Sequence, residues 1–318
     1  MKENVLITGA NGQIGTVLVQ ELIKRYGYNH VLSTDIATTS NQEVMFEQLD
    51  VLDGVRFKDL VNQYQITQIY HLAAILSASG EKNPLRTWEI NMSGFFNVME
   101  IAKEFQIKVF YPSSIAVFGE QLPDNVPQYA PLIPSTVYGI SKAAGENWAY
   151  YYRNRYDVDV RSLRYPGIIG YQSKPGGGTT DYAVDIFHEA ILNKHYTCFL
   201  QSDATLPMIY MEDAIRATLE LMDAPKESLS VNNSYNLAGL SFSPAELAEA
   251  IQKEIPDFTI EYAPDFRQKI AESWPDSIDD SLARQDWNWQ PAFDLTRLTN
   301  DMIYHLKKQL LTTAEGLH

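Results

Sequence analysis

Cysteine is almost absent: Cys198 is the single one in 318 residues. No internal disulfide can form, and a reducing, cytoplasmic setting is expected. Basic residues are also scarce, with 25 Lys and Arg against 40 Asp and Glu and a formal charge of -15. Nucleic acid is therefore not an expected partner, because phosphate binding needs clustered cations. No apolar run reaches the roughly 18 residues that a membrane span requires, so no membrane association is expected. No leader segment is expected either, since the first strand begins almost at once. The six histidines are scattered, no two of them at metal-ligand spacing, and no metal is expected.

What is present is a globular composition, 45% hydrophobic and 20% charged, with apolar runs of alternating length. "NVLIT" (4–8), "HVLSTD" (30–35), "QITQIYHLAA" (65–74), "IKVFYPSS" (107–114) and "VDVRSLRY" (158–165) read as strands. Between them the spacing predicts helices over about 13–26, 53–64, 84–105 and 136–156. This alternation predicts an α/β fold, a Rossmann-type doubly wound parallel sheet with helices on both faces. After residue 165 the rhythm breaks into a Gly-rich loop, "KPGGGTTDY" (174–182), a helix near 182–193 and another within "SPAELAEAIQKEI" (243–255). The expected division is a dinucleotide-binding domain over 1–170, to which about 195–235 returns. A smaller mixed α/β substrate lobe and C-terminal helices then occupy most of 171–318.

"TGANGQIG" (8–15) follows the first strand and opens the first helix. There Gly9 permits a tight turn, Gly12 lets backbone approach a pyrophosphate and Gly15 allows close helix packing, while the helix N-terminus offers free N–H groups. Asp35 ends the second strand about 20 residues on, where a carboxylate accepts from a ribose hydroxyl and repels a 2′-phosphate. NAD is thus expected over NADP. Asp50 is a second candidate for the adenine end.

Two tyrosines stand four residues ahead of a lysine, in "YGISK" (138–142) and "YHLKK" (304–308). Roughly one such match is expected by chance, so the spacing alone carries little weight. Tyr138 and Lys142 begin a long predicted helix and follow a strand ending in Ser113 and Ser114, which should deliver both serines to the crevice of the glycine loop. Tyr304 and Lys308 lie among Met302, Ile303, Leu306, Leu310 and Leu311 and read as packing plus a solvated lysine.

In order along the chain, "TGANGQIG", "HLAA" (71–74), "NMSGFFNVME" (91–100), "PSSIAVFG" (112–119), "YGISKAAGE" (138–146) and "RYPGIIG" (164–170) resemble the extended short-chain dehydrogenase/reductases. UDP-galactose 4-epimerase belongs to that branch. Within it, "GGGTTDYAVDIFHEAI" (176–191), "LPMIYMEDAIRATLELM" (206–222) and "SWPDSIDDSLARQDWNWQP" (273–291) look most like the epimerase-like, zinc-independent L-threonine 3-dehydrogenases. The resemblance implies NAD-dependent oxidation of L-threonine at C3, with Tyr138 as general base, Lys142 holding the nicotinamide ribose and Ser114 orienting the substrate oxygen. It implies a cofactor site of Gly9, Asn11, Gly12, Gln13, Ile14, Gly15, Asp35, Asp50 and Val51, with Leu72, Ala73, Ala74, Asn91, Ser113, Tyr138, Lys142, Tyr165 and Ile168 as its wall. The substrate carboxylate and ammonium are expected near Ser77, Ser113, Ser114, Tyr138, Gly178, Thr179, Thr180, Asp181 and Trp274.

Asp181 reads equally as the cap of the next helix. The aromatic run "AYYYRNRY" (149–156) reads as helix packing or a subunit interface, and a homodimer through helices 92–105 and 140–156 is the family expectation. Two alternatives stay open: a nucleotide-sugar 4-epimerase or dehydratase, and a non-catalytic dinucleotide sensor.

Overall fold

The fold is taken from a computed structural model that describes residues 3–120, 122–174 and 178–315. The first half runs β1 (Val5–Thr8), α1 (Gln13–Tyr26), β2 (Val31–Asp35), β3 (Phe46–Gln48), α2 (Gly54–Gln63), β4 (Gln68–His71), the one-turn α3 (Ser77–Gly80) and α4 (Pro84–Phe105). It continues through β5 (Lys108–Phe110), β6 (Ser113–Ser114), β7 (Asn125–Val126), α5 (Val137–Tyr156) and β8 (Val160–Arg161). Six strands form one sheet in the order β3-β2-β1-β4-β5-β8, and every pair in it is parallel. The order reverses between β1 and β4, where their outgoing loops part and leave a crevice at the carboxyl ends.

β1 shows why its run is apolar throughout rather than alternating. Val5 and Ile7 pack into one buried cluster with Leu18, Val19 and Leu22 of α1. Leu6 points the other way, into a cluster with Phe57, Leu60, Phe95 and Val98. A strand covered on both faces has no wet side to mark with polar residues.

The helices begin where capping side chains stand. Asp53 accepts from Arg56 N at 2.9 Å at the head of α2, and Thr136 accepts from Gly139 N at 3.1 Å at the head of α5. Three expected strands are shorter or divided. "QITQIYHLAA" is strand only over Gln68–His71, because Gln65 takes a left-handed turn (φ 51) and the chain after His71 leaves the sheet. "IKVFYPSS" breaks at Pro112, which has no N–H for a ladder. "VDVRSLRY" divides at Ser162 into β8 and β9 (Leu163–Tyr165), and β9 pairs with β6 instead of the main sheet. The short edge strand β3 had no sequence signal.

The second half comprises β10 (Gly167–Ile169), α6 (Tyr182–Leu192), β11 (His195–Cys198), β12 (Leu206–Tyr210), α7 (Met211–Asp223), β13 (Tyr235–Asn236) and β14 (Leu240–Phe242). After these come α8 (Pro244–Glu254), β15 (Thr259–Tyr262), α9 (Phe266–Ala271), β16 (Ser277–Ile278), α10 (Ser281–Trp287) and α11 (Leu295–Glu315). α7 shares the first core with α1, and β13 pairs with β9, so the chain recrosses toward the large sheet. A further core gathers α6, β12, α8 and α11 around Phe187, Tyr210, Leu247 and Leu298. Among the described residues no helix is long and apolar enough to cross a membrane.

Candidate active site

The crevice at the strand reversal holds a cavity of ≈ 250 Å³. Of the residues expected from sequence, Gly9, Gly12, Gln13, Ile14, Gly15, Leu72, Ala74, Ser77, Ser113, Ser114, Tyr138, Lys142, Tyr165, Ile168, Gly178, Thr179, Thr180, Asp181 and Trp274 all line it. One end is the glycine loop. Gly9 has φ +68, and a Cβ there would come within 2.8 Å of Ala73 N; a Cβ on Gly15 would lie 2.4 Å from the Gly9 carbonyl. The loop can therefore turn this tightly against the β4 exit only with hydrogen in those places. Gly12 caps α1 without any side-chain hydrogen bond, so the first N–H groups of a 14-residue helix remain for a ligand. The cradle fits a pyrophosphate.

Six expected residues stand outside the lining. Asp35 accepts from Asn11 N at 3.1 Å and Ala37 N at 3.1 Å, so it closes the glycine loop from the side. The Asn11 amide donates to Thr39 O at 3.0 Å, holding the segment after β2. Asp50 accepts from Leu52 N at 2.9 Å, and Val51 is buried against α4 at Gly94. Ala73 offers backbone, its N–H reaching Thr8 Oγ1 at 3.3 Å. Asn91 works from behind the wall. Its Oδ1 accepts from Ile75 N at 2.8 Å, and its amide donates to Ile75 O and Ser141 Oγ, both at 3.1 Å, which pins the β4 exit to α5.

The other end is built by α5. Gly139 is required there, since a Cβ would fall 2.1 Å from the Ala116 carbonyl. Its absence lets the helix approach the turn after β6 and brings Tyr138 to Ser114, whose hydroxyl hydrogen-bonds the phenol. Lys142 is buried, donates to Pro112 O at 2.7 Å, and holds its ammonium 4.6 Å from the Tyr111 ring centre and 5.6 Å from that of Tyr138. Burial pushes the Tyr138 phenol up to about 12, with the Ser114 bond pulling the other way. Burial also lowers the Lys142 amine to about 7, opposed by the Glu146 carboxylate. His71, fixed to Thr8 Oγ1 at 2.9 Å, is pushed down to about 3 by burial and then by the Lys142 charge, so it stays neutral beside Lys142. The phenol stays above the neutral range because desolvation outweighs the Ser114 bond.

Ser113 lines the cleft, yet its hydroxyl donates to Glu146 Oε1 at 2.5 Å, away from any ligand. The Tyr165 hydroxyl is likewise turned to Thr218, leaving its ring in the wall. Asp181 does not cap α6; its carboxylate accepts from Gly178 N at 2.7 Å and closes its own turn. Thr179 differs from all of these. It is 1% exposed, and its hydroxyl has no hydrogen-bond partner among the described residues. A buried hydroxyl left unpaired costs about 1–3 kcal/mol, which a polar ligand in the same cleft would recover. Of the "GGGTTD" donors expected for the substrate, Gly176 and Gly177 lie outside the described residues.

Sequence reasoning missed Leu76, Pro112, Ile115, Ala116, Pro166 and Gly167, which also line the cleft. The Pro112 carbonyl has no signature in sequence, because every residue carries one. The buried partners of Lys142 had one available: Glu146 stands one helical turn further along.

A Rossmann-type sheet, an uncapped helix at the glycine loop, and a serine, tyrosine and lysine gathered in the same cleft define a dinucleotide-dependent oxidoreductase. The sequence matches the "NAD dependent epimerase/dehydratase family" over residues 5–238. An "uncharacterized epimerase/dehydratase" of Staphylococcus aureus is 44% identical over 313 residues, covering 96% of this chain and 98% of that one. Among solved structures, a "GalE-like L-threonine dehydrogenase" from Cupriavidus necator in its holo form is 51% identical with a TM-score of 0.94, over 95% of this chain and 99% of that one. The L-threonine dehydrogenase of Clostridium difficile is 44% identical with a TM-score of 0.95, over 97% and 98%. The chain belongs to the NAD-dependent epimerase/dehydratase family. It is an NAD-dependent oxidoreductase acting on a small molecule.

Proposed function

We propose that this protein oxidises L-threonine at C3 to 2-amino-3-oxobutanoate. The observation that carries the assignment is the likeness, over nearly the whole chain, to solved L-threonine dehydrogenases. The buried Thr179 hydroxyl, without a partner among the described residues and in the same cleft as Tyr138, is what a polar amino-acid substrate would need.

Tyr138 is the general base for the C3 hydroxyl, and Ser114 holds that oxygen while donating toward the phenol. Lys142 has a donor committed to the Pro112 carbonyl and keeps others for a ribose hydroxyl. When bound, NAD supplies the hydride acceptor and the positive charge that favours the phenolate. Gly9, Gly12, Gln13, Ile14 and Gly15 cradle the pyrophosphate. Asp35 accepts from the adenine ribose through lone pairs left free by its two backbone bonds. Thr179, Thr180, Ser77 and Gly178 face the substrate's carboxylate, with Asp181 near its ammonium and Trp274 as the apolar wall. The glycine-loop domain and the later substrate lobe meet across this cleft. A homodimer through α4 and α5 fits the exposed Trp88, Trp148, Tyr150 and Tyr151, and the lone buried Cys198 fits a reducing cytoplasm.

The deciding experiment offers the purified protein NAD with L-threonine, and separately a UDP-sugar. NADH accumulating with L-threonine is expected. Sugar turnover without net NADH would instead make the protein an epimerase, and cofactor binding without any turnover would make it a sensor.

A further inference from the structure

Two opposite charges lie fully buried directly behind the reacting groups. Glu146 is 0% and Arg164 2% exposed, and Arg164 Nη2 donates to Glu146 Oε2 at 2.7 Å. Burying such a pair is costly unless its donors and acceptors are satisfied, and here each guanidinium nitrogen and each carboxylate oxygen has a partner. Arg164 Nε reaches Glu146 Oε1 at 2.9 Å, and Nη1 reaches Gln128 O at 2.8 Å and Asn236 Oδ1 at 3.0 Å. Gln128 is itself fixed by Asn236 N at 2.8 Å and Ser234 O at 2.7 Å. A well-packed apolar pair would fill the same space at less risk, so the charges call for a further reason.

Their placement gives one. Tyr138, Lys142 and Glu146 follow one another at four-residue intervals on α5 and share one face of it. Ser113 and Arg164 are register partners across β6 and β9, as are Ser114 and Tyr165. Alternation along a strand sends Ser113 and Arg164 to one side, where both bond Glu146, and Ser114 and Tyr165 to the other, into the cleft. One carboxylate thus ties the catalytic helix to the strand that carries Ser114.

The titratable and charged groups facing Lys142 are Tyr138 and Glu146 from α5, His71 from β4 and Tyr111 from the β5–β6 segment, with Arg164 of β9 behind Glu146. His71 is neutral, and the negative charge favouring the ammonium is that of Glu146. The Tyr138 phenol is shifted by burial and by Ser114, and the Lys142 nitrogen lies 5.6 Å from its ring centre.

We propose that Glu146 is a positioning residue for the reaction: held by Arg164 and Ser113, it sets the Ser114 strand against α5 and supplies the buried counter-charge of Lys142. The kinetic half of this proposal rests on the dehydrogenase assignment; the charge on Lys142 does not. Glu146→Gln keeps the shape and removes the charge. It is expected to lower kcat about tenfold at neutral pH and to move the acid limb of the rate profile up by about one pH unit, with the KM for NAD changing less than kcat. Ser113→Ala, which removes a bond but no charge, is expected to lower kcat several-fold and leave that limb in place.

A second readout needs no substrate. In cofactor-free protein, the pH dependence of melting that Lys142→Met abolishes should extend to lower pH in the Glu146→Gln background, because the amine there loses its proton more readily. A loss equal at every pH, with that melting difference unchanged by Glu146→Gln, would overturn the proposal and leave a purely structural ion pair. No turnover with L-threonine, but a displaced melting difference, would sink the dehydrogenase assignment and keep the counter-charge.

Discussion

Tyr138 and Tyr304 each precede a lysine by one helical turn, one on α5 and the other on α11. Tyr304 is 61% exposed and meets little besides the edge of His305, at 5.1 Å between ring centres. Tyr138 is half-buried beside Ser114, and its lysine is 3% exposed with a backbone carbonyl and an aromatic ring as neighbours. Helical spacing guarantees only that two side chains share a face. Reactivity comes from desolvation and from groups that other elements bring up, here β6 and the β4 exit. The same dipeptide pattern is a surface feature on one helix and a candidate base on the other.

Several substitutions would break or sharpen this contrast. Tyr138→Phe should have the largest effect, lowering kcat by about 10²–10⁴-fold while NAD binding, followed by quenching of tryptophan fluorescence, survives. Tyr304→Phe should leave the rate within about twofold, an exposed substitution far from the cleft; a comparable loss there would erase the distinction.

Thr179→Val comes next. Deprived of the hydroxyl, the cleft should bind substrate about tenfold to a hundredfold more weakly, about 1–3 kcal/mol, and the change should appear in KM for L-threonine rather than in kcat. An unchanged KM would remove Thr179 from the substrate site.

The smallest effect is on stability. The Lys142 amine, ordinarily at 10.5, stands at about 7 when folded. Between those values the unfolded chain holds a proton that the folded chain has released, so cofactor-free protein should grow more stable as pH rises from about 7 toward 10. Above 10 the Tyr138 phenol, raised to about 12, works in the opposite direction. Melting scans of wild type and Lys142→Met between pH 7 and 9.5 should differ in slope, the variant being flatter. Parallel slopes for Lys142→Met would show that its burial has no such consequence.

Much of the large sheet was legible because its signals are local. The run "NVLIT" followed by three spaced glycines and an amphipathic stretch needs no distant partner to be read, and α1 and α4 fall within Gln13–Tyr26 and Pro84–Phe105 as expected. What escaped depends on contacts between segments remote in sequence. Pro112 ended one expected strand, but only the arrival of β9 beside β6 shows why the two serines after it face opposite ways. Ser113 and Ser114 are indistinguishable as letters; strand alternation turns one hydroxyl to Glu146 and the other to Tyr138. Asn91 was expected in the cofactor wall, and its three hydrogen bonds instead brace the loop that forms that wall.

By itself the sequence determined the α/β class and the dinucleotide loop, since each follows from residue type at short spacing along adjoining strands and helices. The tertiary structure alone decided that Ser113 turns its hydroxyl to Glu146 and that Glu146 and Arg164 stand behind the cleft. Those outcomes depend on burial and on distances between separate elements, and neither is encoded in the spacing of a single segment.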